Sequence, residues 1–272
     1  MNLKLWIYIL IISSSEQENI SKLHLRTMSP SVSYNEPKLP ACPHWNPNGI
    51  IFADEISIHS FSPTNLFVTT DRTIYAGDMD ESIVQKWTLD IVESVISIKV
   101  RNRCYALFID IANSLYCSTF LTHQVIKQKL DMNENISGVT VVGNGICGSN
   151  QNMLCNPRGI FVTIELDLYV ADTWNNRIQL FRPGELTGKT VVGNMKTSII
   201  LYGPTCVILD ADSNLFIVDS NHHRIIRSHL NSFHCIIGCS AKRGSASDQL
   251  NTPIMAAFDN VGNIFFTDEI NF

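Results

Sequence analysis

The residues best placed to do chemistry lie in two polar turns, Asp-Thr-Trp-Asn-Asn-Arg at 172–177 and Asp-Ser-Asn-His-His-Arg at 219–224. Each turn places a carboxylate, a guanidinium and amide or imidazole groups between two apolar runs. Carboxylate and guanidinium groups form strong, charge-assisted hydrogen bonds, and imidazole can titrate near neutral pH or bind a metal ion. The turns could therefore hold a structural ion-pair network, a metal site or a binding surface.

The aspartate that opens both turns recurs along the chain. Equivalent positions are Asp78, Thr119, Asp172, Asp219 and Asp268, at intervals of 41, 53, 47 and 49 residues. They lie among short runs rich in Val, Ile, Leu, Phe and Tyr, which end at Gly, Asn, Asp or Pro as β-strands do. A period of this length suits a repeated four-stranded antiparallel sheet. Stacking such sheets radially buries both faces of each sheet, so the sequence predicts an all-β protein with a β-propeller fold.

The repeats resemble the NHL repeat, which runs Pro-x-Gly-Ile, two strands and then Tyr-Val-Ala-Asp-x-x-Asn-x-Arg-Ile. The match is strong over 156–181, good over 203–226 and 251–268, and weak over 62–87 and 104–126. His222 replaces the Asn of the repeat, and in a weak copy Thr119 and Gln124 replace the Asp and Arg. The resemblance implies an NHL-type β-propeller over residues 47–272, and such propellers usually have six blades and often act as interaction platforms.

The chain contains four complete units by this count and a fifth that stops at Phe272, inside its second hairpin. An open arc of five units would leave an unpaired strand edge, which favours aggregation. We therefore expect a partial sequence, in which the propeller is incomplete at its C-terminus. Residues 49–53 would then form the strand that closes the complete ring.

Three loops are predicted to share one face of the propeller. Consecutive strands of a blade alternate in direction, so the turn between strands two and three lies at the same end as the connection to the next blade. The turns 172–177 and 219–224 and the long connection 144–158 therefore meet on what we call the loop face.

The repeated positions of the turns are predicted to stabilise the fold. An Asp side chain can accept hydrogen bonds from backbone N–H groups in a turn, and Asn tolerates the left-handed conformation. An Arg can then reach a carboxylate or the carbonyl groups of an adjacent loop. The structural turn residues are Asp172, Asn175, Arg177, Asp219, Arg224 and Asp268.

The positions that differ between the turns are candidate binding residues, namely Trp174, Asn176, Asn221, His222 and His223. An exposed Trp is a plausible binding anchor, because aromatic side chains carry much of the affinity of protein interfaces. Packing of Trp174 against a neighbouring loop is the alternative. The two histidines could form a pH-sensitive contact or a metal site, or be solvated turn residues.

The N-terminus resembles a secretory signal peptide over residues 1–15. Lys4 precedes an apolar run at 5–12, and three serines precede a predicted cleavage site before Glu16. A buried N-terminal strand is the alternative. Residues 16–46 form a segment before the propeller. Of two glycosylation motifs, at Asn19 and Asn135, the one at Asn135 lies in a polar stretch and is the better candidate.

Eight cysteines are compatible with secretion, because disulfides form in oxidising compartments. Two close pairs would each close a small loop, Cys147 with Cys155 and Cys235 with Cys239. The second pair could instead bind zinc beside the histidines, but no second pair has metal-ligand spacing. We predict disulfides and no metal or other cofactor.

These observations favour a secreted, non-catalytic scaffold that binds an extracellular protein or glycan through its loop face. The net charge of −5 argues against a nucleic-acid partner, and no later segment is long and apolar enough for a membrane helix. The alternative is a metal-dependent enzyme resembling the peptidyl-hydroxyglycine lyases, whose NHL-type propellers bind metal through histidines. The eight histidines here do not recur at one position of the repeat.

Overall fold

The computed structural model describes part of the 272-residue chain, and the structural statements below concern that part. The described residues are 10–12, 63–68, 73–78, 82–88, 91–100, 102–130, 138–193, 199–229, 232–240, 242–246, 248–258 and 264–268. Asn135, Cys42 and residues 49–53 lie outside these ranges, as do Asn19 and Phe272. No helix in the described ranges is long and apolar enough to cross a membrane.

Four antiparallel four-stranded sheets follow one another along the chain, with strand order equal to sequence order. Sheet 1 contains β2 (Pro63–Val68), β3 (Thr73–Asp78), β4 (Ile83–Thr88) and β5 (Ile91–Lys99). Sheet 2 contains β6 (Ala106–Ile109), β7 (Ser114–Thr119), β8 (Gln124–Lys129) and β9 (Val139–Val142). Sheet 3 contains β10 (Pro157–Val162), β11 (Leu168–Asp172), β12 (Arg177–Phe181) and β13 (Lys189–Val192). Sheet 4 contains β14 (Pro204–Leu209), β15 (Leu215–Asp219), β16 (Arg224–His229) and β17 (Ser232–Ile237).

A fifth sheet has three strands, β18 (Pro253–Phe258), β19 (Ile264–Asp268) and β1 (Leu10–Ile12). β1 pairs antiparallel with β19, with Leu10 opposite Phe266. The N-terminal residues thus take the place of a third strand, whereas the sequence assigned them to a signal peptide. Cleavage of such a peptide would remove β1, so the two assignments exclude one another in the mature protein. The signal peptide stays a prediction.

The first strands of the five sheets contact one another in order, and β18 also contacts β2. The expectation of a partial sequence, with the propeller incomplete at its C-terminus, stays a prediction. Among the described sheets the first strands nevertheless form a closed series of contacts. Counting repeats could not foresee this, because the angle between neighbouring sheets depends on how their side chains pack. The four-stranded sheets and their radial arrangement confirm the predicted β-propeller. A total of six blades in the complete protein stays a prediction.

Aromatic side chains fill the space between neighbouring sheets. Phe108 packs edge-to-face against Phe67 of sheet 1 and Phe161 of sheet 3, with ring centroids 4.9 and 5.0 Å apart. Phe216 and Phe258 make the same contact between sheets 4 and 5. Edge-to-face pairs add stability beyond the area they bury. The apolar alternation visible in the sequence thus produces a core that runs from sheet to sheet.

The described cysteines form three disulfides, and two are the predicted pairs Cys147–Cys155 and Cys235–Cys239. The third, Cys104–Cys117, joins β7 to the residues that precede β6. The sequence did not indicate it, because its two cysteines come together only through the pairing of neighbouring strands.

Cys206 is a free and fully buried thiol on β14. Burial raises its pKa to about 12, against the opposing effect of its backbone hydrogen bonds. Since the thiolate is the reactive form, we expect iodoacetamide at pH 8 to leave Cys206 unmodified in the folded protein and to modify it in urea. Peptide mass mapping measures this, and modification of Cys206 without denaturant would contradict its place in the core.

Candidate functional site

Three short 3-10 turns on the loop face connect the second and third strands of sheets 2, 3 and 4. They are η1 (Phe120–Thr122), η2 (Thr173–Asn175) and η3 (Ser220–His222). Each ends at a residue in the left-handed conformation, namely His123, Asn176 or His223, with φ between 52° and 55°. Asn and His are among the non-glycine residues that tolerate this conformation best.

Asp172 is completely buried and accepts three hydrogen bonds at the base of η2. Its Oδ1 accepts from the Cys155 N–H at 2.7 Å, and its Oδ2 accepts from Arg177 Nε at 2.7 Å and Asn175 Nδ2 at 2.8 Å. Burial raises the pKa of Asp172, and the three donors oppose that shift only in part. The carboxylate ties the turn to the residues just before β10.

Asp219 and Asp268 make the corresponding contact in the next two sheets. Asp219 Oδ1 accepts from the Tyr202 N–H at 2.8 Å, while its Oδ2 contacts Arg224 Nε at 2.9 Å and His222 Nδ1 at 2.8 Å. Asp268 Oδ1 accepts from the Asn251 N–H at 2.7 Å. In all three sheets the donor lies two residues before the proline that begins the first strand.

The arginines of the turns extend from these carboxylates to the connections between sheets. Arg177 donates from Nη1 to the carbonyl oxygen of Ser149 at 2.8 Å and from Nη2 to those of Asn150 and Met153, both at 3.2 Å. Arg224 Nη2 donates to the Ile200 carbonyl at 3.1 Å. Each arginine therefore fixes a connection against the turn beside it.

The left-handed residues link each sheet to the next one. His123 Nδ1 accepts from the Asn156 N–H at 3.1 Å, Asn176 Oδ1 from the Gly203 N–H at 2.8 Å, and His223 Nδ1 from the Thr252 N–H at 3.1 Å. We call these three hydrogen bonds the inter-sheet links. The sequence had grouped Asn176 and His223 with the variable binding residues. Both side chains have a hydrogen-bond acceptor close to their own backbone, Oδ1 in Asn and Nδ1 in His. This shared property could have indicated a structural role from the sequence.

The link at His223 predicts a pH-dependent stability. Burial, and then the nearby charges of Arg243 and His222, lower the pKa of His223 in the folded state. The pKa of His in an unfolded chain is about 6.5, so a proton binds His223 more tightly in the unfolded chain than in the folded protein. The stability from this group is therefore complete above about pH 6.5 and is lost progressively as the pH falls from there through the lower pKa of the folded state.

The variant His223→Asn keeps an acceptor but does not titrate. We expect its free energy of unfolding to fall less than that of the original protein between pH 7.5 and pH 5. Urea unfolding at both pH values measures the difference, in which the contributions of the other titrating groups cancel. Equal falls would show that protonation of His223 does not open the link.

Two connections on the loop face share one conformation. An isolated parallel β-bridge pairs Cys147 with Leu154 in one connection and Arg243 with Leu250 in the other. The N–H groups of Gly148 and Gly244 donate hydrogen bonds to the carbonyl oxygens of these two leucines. Both sequences read Gly-Ser, four residues, Leu, two residues and Pro, at 148–157 and 244–253. This repeat was visible in the sequence but was not used to define the loop face.

Exposed apolar side chains concentrate on the loop face. Five of the eight exposed large hydrophobic residues in the described ranges lie there, with 54% to 80% of their surface accessible. We call them the apolar arc: Leu121, Ile146, Trp174, Ile200 and Tyr202. The other three lie at the opposite end of the sheets, Ile111 and Leu186 in turns and Val139 at the start of β9. Clustered exposed apolar residues mark interaction sites, whereas isolated ones are ordinary.

Hydrogen bonds join the loops that carry Ile146, Trp174, Ile200 and Tyr202. The connection that carries Ile146 leaves sheet 2 beside η1 and meets η2 where Asn175 Nδ2 donates to the Gly148 carbonyl at 2.8 Å. The connection that carries Ile200 and Tyr202 lies between η2 and η3, and the Asn221 N–H binds the Tyr202 carbonyl at 3.1 Å. The apolar arc therefore crosses sheets 2, 3 and 4.

The remaining candidate residues flank the apolar arc. Asn221 is exposed, and His222 packs edge-on against the ring of Tyr202 with centroids 5.8 Å apart while contacting Asp219. Trp174 has 66% of its surface accessible, so in the described structure it is not packed against a neighbouring loop. The described ranges hold no group of three His, Cys, Asp or Glu side chains that could bind a metal ion.

No protein-family model and no curated protein matches this chain. Several solved β-propellers do. A Bacteroides thetaiotaomicron protein of unknown function is 14% identical, with a TM-score of 0.62, and the match covers 78% of this chain and 58% of that protein's chain. A nidogen/laminin complex is 16% identical with a TM-score of 0.56, and covers 87% and 84%. Virginiamycin B lyase from Staphylococcus aureus is 13% identical with a TM-score of 0.48, and covers 78% and 65%.

These identities show the fold alone, and the NHL repeat in particular is not established by them. The chain spans 65% of the length of the virginiamycin B lyase chain and 58% of the Bacteroides protein.

Proposed function

We propose that this protein is a non-catalytic interaction scaffold that binds a protein partner through the apolar arc on its loop face. The observation that carries the proposal is the concentration of exposed Leu, Ile, Trp and Tyr side chains on one end of the sheets. A binding site of this kind gains affinity from burying such side chains in a complementary pocket. The turns beneath it are held by the ion pairs of the buried Asp172 and Asp219, which fix the backbone that carries Trp174.

A protein partner fits the apolar arc better than a glycan does. Three of its five side chains are aliphatic, and these pack against other apolar side chains but offer no flat surface for a sugar ring. The nidogen/laminin complex gives a precedent in which a protein with a similar fold is found with a protein partner. A glycan would instead require contacts centred on Trp174 and Tyr202.

We further propose that the protein acts outside the cell. Three disulfides among the described cysteines are typical of proteins from oxidising compartments. The signal peptide at residues 1–15 and a glycan at Asn135 belong to this proposal. A metal-dependent lyase remains the alternative function, and metal analysis of the purified protein tests it, because that activity requires a bound metal ion.

Replacing Trp174 with Ala is expected to weaken binding of an extracellular protein partner by about 30-fold, which is typical of an aromatic anchor. Leu186→Ala is the matched control, because Leu186 is equally exposed, at 67%, on the opposite end of the sheets. We expect Leu186→Ala to leave affinity unchanged and both variants to retain the original free energy of unfolding. Surface plasmon resonance and urea unfolding measure the two quantities.

Two results would contradict the proposal. Equal effects of the two substitutions on affinity would show that binding does not use the loop face. A loss of several kcal/mol of stability in Trp174→Ala would show that the side chain packs within the fold, because surface substitutions usually change stability by about 0.5 kcal/mol or less.

A further inference from the structure

Arg158 lies at the end of β10 that emerges on the loop face. It follows Pro157, whose neighbour Asn156 takes part in the inter-sheet link to His123. The guanidinium lies over the ring of Tyr105, with its carbon 4.8 Å from the ring centre. Tyr105 packs edge-on against Phe120, the first residue of η1. Arg158 therefore stands beside the part of the apolar arc that begins at Leu121.

The guanidinium of Arg158 has no acidic partner among the described residues, and its Nε is buried without a hydrogen-bond acceptor. The other partly or wholly buried arginines behave differently. Arg177 is paired with Asp172, Arg224 with Asp219 and Arg227 with Asp210. Arg227 Nε also lacks an acceptor, but Arg227 Nη2 contacts Asp210 at 3.1 Å, so what distinguishes Arg158 within the described ranges is the missing carboxylate. A partly buried charge without a counter-charge is unfavourable, and most such groups in native structures have a partner.

The surroundings of Arg158 favour an anionic partner. Exposed ionisable side chains on the described loop face are mostly basic, with Arg103, Lys242 and Arg243 against Asp248. The carboxylates of Asp172 and Asp219 are buried beneath the turns and already paired. The whole chain nevertheless carries a net charge of −5, so the exposed ionisable side chains of the described loop face are opposite in sign to the net charge of the chain.

We propose that Arg158 recognises a carboxylate of the partner, and that the partner presents an Asp or Glu next to an apolar residue in an extended segment. The carboxylate binds the free guanidinium edge over Tyr105, and the neighbouring apolar residue packs on the apolar arc. Arg suits this role because its planar group binds carboxylates in a bidentate manner. The inference rests on the proposed function and adds the chemistry of the partner.

The test uses a random peptide library displayed on phage and selected on the purified full chain. Peptides enriched on the original protein are expected to combine an acidic and an apolar residue. Selection on Arg158→Met should lose the acidic residue, because Met keeps an apolar side chain over Tyr105 but carries no charge. Arg103→Met removes the same charge from an exposed position of the same face and should leave the preference unchanged.

Calorimetry on the best peptide gives the size of the effect. Replacing its acidic residue by the corresponding amide should lower the affinity for the original protein by at least about 30-fold, as for other desolvated charge pairs. The same change should have little effect on binding to Arg158→Met. If Arg158→Met does not fold, Arg158→Lys replaces it, since Lys keeps the charge without the planar donor group and should bind the acidic peptide more weakly.

The outcomes separate the two proposals. An acidic preference that persists in the Arg158 variants overturns the role of Arg158 but leaves the loop face as the binding site. Enrichment of peptides that lack an acidic residue would likewise overturn the role of Arg158 and leave the loop face as the binding site. If no enriched peptide depends on Trp174, both the binding face and the role of Arg158 are wrong.

Discussion

Replacing Asp172 with Ala is expected to lower the free energy of unfolding by about 3–5 kcal/mol, the usual effect of removing one partner of a buried ion pair. The substitution leaves the Cys155 N–H, Asn175 and Arg177 without the acceptor that they share. Because Asp172 is completely buried, water cannot replace it without opening the turn. Urea unfolding monitored by tryptophan fluorescence measures the loss.

Two control variants define the cause of that loss. Asp172→Asn keeps an oxygen for the Cys155 N–H but loses the charge that faces Arg177, so we expect an intermediate effect. Glu165→Ala removes an exposed carboxylate from the opposite end of the same sheet and should change stability by about 0.5 kcal/mol or less. A loss below about 1 kcal/mol in Asp172→Ala would contradict the assignment of Asp172 as the centre of the turn.

Replacing Gly159 with Ala is expected to destabilise the protein by about 3 kcal/mol, because the added methyl group meets the backbone of the next sheet. A Cβ at this position would lie 2.5 Å from the Cα of Cys206 and 2.6 Å from the carbonyl oxygen of Thr205. Neither atom can move without displacing β14. The glycine of the Pro-x-Gly-Ile motif is thus explained by the close approach of two first strands.

Gly138→Ala is the matched control for this substitution. A Cβ at Gly138 has its nearest neighbours at 3.6 Å, which is an ordinary contact distance. We expect its free energy of unfolding to stay within about 0.5 kcal/mol of the original value. Equal effects of the two substitutions would mean that β10 and β14 do not approach as closely as described.

Much of the fold could be predicted from the sequence, because alternating apolar residues and turn residues act locally. The repeats identified at 104–126, 156–181 and 203–226 coincide with the first two strands, and all or part of the third, in sheets 2, 3 and 4. The contact between β18 and β2 could not be predicted, since it depends on the packing of five sheets at once. The pairing of β1 with β19 is equally non-local.

The residues of the site that recur from repeat to repeat could be predicted from the sequence. Those whose role depends on contacts between neighbouring sheets could not. The positions of Asp172 and Asp219 followed from their recurrence, and Trp174 was selected as the aromatic residue of its turn. The inter-sheet links of Asn176 and His223 were missed, because their acceptors serve backbone groups about 30 residues further along the chain. The lack of a carboxylate partner for Arg158 among the described residues is visible only in the structure, because it depends on where the described carboxylates lie.

The most direct test of the account places a photoreactive phenylalanine analogue at position 174 or at position 186 of the full chain. After irradiation in the extracellular fluid from which the partner is purified, we expect a cross-linked product from position 174 and none from position 186. Competition with a protein that retains Trp174 should abolish the product, and competition with Trp174→Ala should not. Cross-linking from position 186 alone, or from both positions equally, would show that the loop face is not the interaction surface.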